Sequence, residues 1–100
     1  MPWFAKTERF KVPLEVRRPH LEAHRRWVAA LRQGGTAIVS GYLVNEQGRP
    51  GGGGLLLFEA IDHPSAEALV RQDPLIAAGC VDWQLQGWVL VVGDLRQVQP

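Results

Sequence analysis

The sequence predicts an α+β domain of the ferredoxin-like type. Three observations carry this. The periodicities along the chain fall in the order β-α-β-β-α-β, the split βαβ arrangement. Glycine and proline clusters separate the segments. The chain has 100 residues, enough for one core and too few for two.

The first strand runs from Trp3 to Phe10, where Lys11-Val12-Pro13 interrupts it. A helix follows over about Pro19 to Gln33. His20, His24, Trp27, Val28 and Leu31 share one side of it, at i, i+4, i+7, i+8 and i+11. Pro19 suits a first helical turn, where a missing N–H costs nothing. Pro13 could equally open a longer helix containing Pro19. Gly34-Gly35 ends the helix. Thr36 to Val44 is β-rich, and Asn45 to Gly54 is a loop by composition. Leu55 to Ala60 is a short apolar run after a turn signal, hence a buried third strand. Asp62 or His63 precedes Pro64, and a helix follows over Ser65 to Arg71. Asp73-Pro74 breaks it, and Leu75 to Ala78 forms one more turn closed by Gly79. Val81, Trp83 and Leu85 alternate with Asp82, Gln84 and Gln86, the period of a half-buried strand. Trp88 to Val92 continues it, and Gly93 to Pro100 is a polar tail.

This order places two helices on one face of an antiparallel sheet and leaves the other face bare. Trp3, Trp83 or Trp88 and the leucines of the third strand need cover, so a homodimer through the open sheet face is expected.

Composition removes several function classes. Eleven Lys+Arg against ten Asp+Glu leave no electrostatic footprint for nucleic acid or an anionic membrane. No stretch of about 18 apolar residues could cross a bilayer, and the N-terminus does not read as a secretory signal. Cys80 is alone, so no disulfide framework or cysteine cage exists, and it reads as a small core residue. A soluble cytoplasmic domain is expected. Arg17, Arg18, Arg25, Arg26 and Arg32 form the densest basic patch, read as a solvated helix face able to hold an acidic partner or a substrate carboxylate. The third strand carries aliphatics where an RNA-binding sheet needs stacking rings. The glycines at 51–54 lead into a strand with no lysine after them, unlike a phosphate cradle. They read as a mobile loop at a pocket mouth.

His20 and Asp73 are the first candidates for chemistry. An imidazole held by a carboxylate, with its other nitrogen facing a cavity, is a general acid or base worth about 10²–10⁴ in rate. The bland alternative is an exposed helix-start histidine and an aspartate capping the turn before Pro74. His24, one turn from His20, is either a second pocket group or a core histidine. Ser40 could hydrogen-bond in the pocket, but no nucleophile-elbow motif surrounds it. Two histidines at i and i+4 raise zinc, yet Glu22 at i+2 faces away and only Asp73, Glu59 or His63 could follow. No metal and no cofactor are expected.

Several segments together resemble the YCII-related family. They are Arg18-Pro19-His20-Leu21, Gln33-Gly34-Gly35 before Val39-Ser40-Gly41, the glycines before Leu55–Ala60, and above all Asp73-Pro74-Leu75-Ile76-Ala77-Ala78-Gly79. The resemblance spans about residues 3–92. It implies a dimeric α+β barrel with a His–Asp pair, His20 and Asp73, in a small pocket; His24 and Ser40 are expected as second-tier contacts with the substrate. One branch of that family eliminates chloride from a chlorinated hydroxyquinol. The resemblance thus implies proton transfer on a small organic molecule, by isomerisation or elimination. The alternative is a non-catalytic dimeric module that binds a small ligand or a protein. Leu75 stands where the family commonly has an aromatic residue, and His24 where it usually has an aliphatic one.

Overall fold

The computed structural model describes residues 1–95. The polar tail expected over 93–100 therefore lies, from residue 96 on, outside the described residues. Four strands, β1 (Trp3–Phe10), β2 (Ile38–Tyr42), β3 (Gly53–Glu59) and β4 (Val81–Trp88), form one antiparallel sheet in the order β2-β3-β1-β4. This is the expected ferredoxin-like topology, with the first strand central. Helices α1 (Leu14–Gln33), α2 (His63–Val70) and the single turn α3 (Pro74–Ala77) complete it.

The longer helix is the one that forms. Pro13 is its N-cap, and its carbonyl accepts from the amides of Val16 and Arg17. Pro19 therefore lies inside α1. It leaves the Glu15 carbonyl without an amide donor one turn on, and the helix continues because its apolar stripe is packed. Gly34 and Gly35 close it, Gly35 at φ +98°. α2 begins where Asp62 accepts from the Ser65 amide at 2.9 Å, a conventional N-cap.

Period-2 alternation decides which strand residues meet the helices. Phe4, Lys6 and Glu8 of β1 are buried and their neighbours are more exposed. Phe4 packs on Phe58 with ring centroids 6.1 Å apart, within a cluster containing Val28, Ile38, Leu56, Ala66 and Val70. A second cluster holds Leu75, Cys80 and Val81, with Phe10 and Leu21 against it. Trp83 faces the helix layer, packed on both clusters. Trp3 and Trp88, paired across β1 and β4, fall on the open face with Leu57 and Val39. β4 ends at Trp88, short of the expected Val92, and Val89, Val91 and Val92 are exposed.

Candidate functional site

The register of the sheet sets out the site. One row across it reads Ser40, Leu56, Lys6, Leu85, and the next reads Tyr42, Gly54, Glu8, Trp83. Both rows point at the helices. Gly54 puts no side chain between Tyr42 and Glu8, so the second row opens a cleft where the first row is filled. At Gly53, with φ +153°, a Cβ would lie 1.9 Å from the Glu8 carbonyl oxygen. Two of the four glycines expected in a mobile loop, Gly53 and Gly54, thus belong to β3, and close approach of neighbouring backbones demands them.

Asp73 sits between the two apolar clusters, three residues after Val70 and two before Leu75. It caps α3, with Oδ1 accepting from the Leu75 amide at 3.0 Å. His24 occupies the same seam from α1, three residues after Leu21 and four before Val28. Its Nδ1 lies 2.9 Å from Asp73 Oδ1. Its Nε2 lies 3.3 Å from Ser40 Oγ, which is exposed. Asp73 is wholly buried, at 0% exposure. Burial pushes its carboxyl up. The His24 hydrogen bond, the Lys6 charge and the Leu75 amide together outweigh burial and hold it below the ordinary 3.8. An ionised carboxylate only accepts, so Nδ1 carries the proton toward it. In the neutral ring Nε2 then accepts from the Ser40 hydroxyl; in the protonated ring it donates to it.

The pairing expected at His20 forms instead at His24. His20 is half-buried in the second turn of α1, its side chain makes no hydrogen bond among the described residues, and it does not line the cleft. It lies on nearly the same helical stripe as His24. Axial position separates them, because four residues move a side chain about 6 Å along the axis. Ser40, on β2, lies on the side of His24 away from Asp73.

Two residues of the site went unread in the sequence. Lys6, only 1% exposed, donates from Nζ to Asp73 Oδ2 at 3.0 Å and also contacts Glu8 Oε1. The signal was present: Phe4, Lys6, Glu8 and Phe10 share one face of a strand, and two charges between two phenylalanines on an inward face need a reason. The polar chain is therefore Glu8, Lys6, Asp73, His24, Ser40. Arg17 also departs from the expected solvated patch. Its guanidinium lies 4.3 Å over the Phe10 ring and Nη1 donates to the Val12 carbonyl at 2.7 Å.

The chain opens into a cleft of about 610 Å³, within the range of small-molecule sites. Glu8, Gly53, Gly54 and Leu75 line it beside His24 and Ser40. Among the described residues no three His, Cys, Asp or Glu side chains are placed to hold a metal ion, and no helix is long and apolar enough to cross a membrane.

A family model of the YCII-related domain matches residues 3–85. The chain belongs to the YCII-related family. No curated protein matched by sequence. Among solved structures, the 5-chloro-2-hydroxyhydroquinone dehydrochlorinase of Burkholderia phenoliruptrix, in complex with 2,5-dihydroxybenzoquinone, is similar, with a TM-score of 0.70 and 20% identity over 87% of this chain and 93% of that one. The likeness shows that this YCII-related chain shares the fold of that enzyme.

Proposed function

We propose that this YCII-related protein transfers protons on a small cyclic or carbonyl-bearing organic molecule, by isomerisation or elimination. His24 is the general acid–base and Asp73 the group that orients and charge-balances it. The observation that carries this is His24 itself. One ring nitrogen is fixed by a buried, ionised carboxylate, and the other meets an exposed hydroxyl in an open cleft. Such chemistry needs one placed base. Ser40 shares its hydroxyl hydrogen with Nε2 and would pass that position to a substrate oxygen. The dehydrochlorinase of similar fold, solved in complex with a hydroxylated quinone, supports the substrate class.

We further propose that the working unit is a homodimer joined through the open sheet face, where Trp3, Trp88, Leu57 and Val39 gather without helical cover.

Proton exchange tests the catalytic proposal without presuming a product. Hydroxylated and carbonyl-bearing rings are incubated with the protein in D₂O and followed by NMR. Deuterium incorporation that falls about 10²-fold or more in His24→Ala is the expected result. Exchange unaffected by that substitution would overturn the assignment to His24. Compounds that bind but never exchange would make the protein a ligand-binding module.

A further inference from the structure

We propose that the cleft selects an organic acid, with Arg25 and Arg32 of α1 gripping its carboxylate while the ring faces His24. This rests on the reading of the cleft as a small-molecule site, and it adds the charge of the molecule that enters.

Arg25, Ala29 and Arg32 all line the cleft. They follow one another at i, i+4 and i+7, so they stack on one side of α1. The two arginines start about 10 Å apart along the axis. Ala29 between them projects only a methyl group, leaving room for a ligand at the place where both guanidinium groups can reach. Both are exposed, and neither forms an ion pair among the described residues.

The other charges of the site lie deeper than the arginines. Glu8 is the single acidic lining residue of the cleft; it is buried, and its carboxylate shares the Lys6 ammonium with Asp73. Asp73 lies beneath, held by Lys6 and His24. The solvent side of the cleft thus presents two exposed guanidinium groups, and its one carboxylate, on Glu8, lies buried against Lys6. Arginine forks match carboxylate oxygens in pairs, which fixes a planar acid in orientation as well as in place. On the opposite wall Ser40 and Tyr42 offer hydroxyls to ring oxygens. A carboxylate-bearing hydroxylated ring satisfies both walls, and a neutral ring satisfies one.

The test uses the whole chain and two probes of nearly the same shape, one anionic and one neutral: 2,5-dihydroxybenzoate and 2,5-dihydroxybenzamide. Binding is followed through amide shifts of the ¹⁵N-labelled protein. The acid is expected to bind about tenfold or more tightly than the amide, with a preference that shrinks as salt rises. The double variant Arg25→Met, Arg32→Met should lose the preference. Arg18→Met with Arg26→Met, outside the cleft, should keep it. Equal binding of the two probes, a preference that survives the cleft double variant, or no shift of cleft amides at roughly 1 mM of either probe would each overturn the proposal. Deuterium exchange in His24→Ala reads the proton-transfer proposal separately, so either can fail without the other.

Discussion

Lys6 Nζ lies 3.0 Å from Asp73 Oδ2, joining the middle of the central strand to the cap of α3 at a point where neither side chain meets solvent. One ammonium serves two carboxylates there, Asp73 and Glu8. Removing it leaves two buried negative charges facing the same space. Lys6→Met, similar in shape, is expected to cost about 3–5 kcal/mol at neutral pH, read as a shift of the urea midpoint. A variant as stable as the parent would mean that the lysine bears no structural charge.

Acid should remove part of the stability, in a defined direction. Asp73 titrates lower in the fold than its ordinary 3.8. The unfolded chain therefore binds this proton more readily, and the stability it contributes is complete above about pH 4–5 and is lost as pH falls through the folded value. Asp62 is also lowered, chiefly by its hydrogen bonds from Ser65, and adds to the same window. Unfolding followed from about pH 6 to pH 2 should show the loss. Asp73→Asn and Asp62→Asn should each flatten the curve, and an unchanged curve in Asp73→Asn would contradict an ionised carboxylate at the buried site.

His24→Ala should keep the fold and release Asp73. Without the His24 hydrogen bond, the strongest influence lowering it, the Asp73 carboxyl moves upward, observable as a carboxyl ¹³C titration. His20→Ala should leave that titration where it is. A shift with His20→Ala and none with His24→Ala would reverse the assignment.

Gly53→Ala tests the close approach of β1 and β3. Its Cβ would collide with the Glu8 backbone carbonyl, at 1.9 Å, whereas a Cβ at Gly52 meets nothing within 4 Å. Gly53→Ala is expected to destabilise by more than about 3 kcal/mol, and Gly52→Ala by less than about 1 kcal/mol, both by denaturant titration.

The open face carries the fourth expectation for stability and assembly. Leu57 is half-buried there, opposite Ala5 on one side and Val39 on the other. Leu57→Glu should convert a dimer to a folded monomer in sedimentation equilibrium. A parent protein that already sediments as a monomer would end the dimer proposal.

Fold and site were unequally legible. The strand limits of β1 and the break at Asp73-Pro74 follow from periodicity and turn chemistry, which act between near neighbours. The start of α1 did not, because Pro13 and Pro19 are both competent first-turn residues and only packing chooses between them. The histidine followed the same ambiguity. With α1 begun at Pro19, His20 falls in the first turn. With α1 begun at Pro13, the seam between the two apolar clusters falls at His24.

The sequence by itself determined the order of elements, the bare sheet face and the break at Asp73-Pro74. These rest on spacing within short windows, where backbone geometry leaves few choices. Tertiary structure alone decided which histidine meets Asp73, that Lys6 and Glu8 underlie the pair, and that Gly54 opens a cleft between Tyr42 and Glu8. Each depends on strand register and on the axial setting of α1 against α3. Those are fixed by burying side chains from distant segments together, a cooperative result that no local window contains.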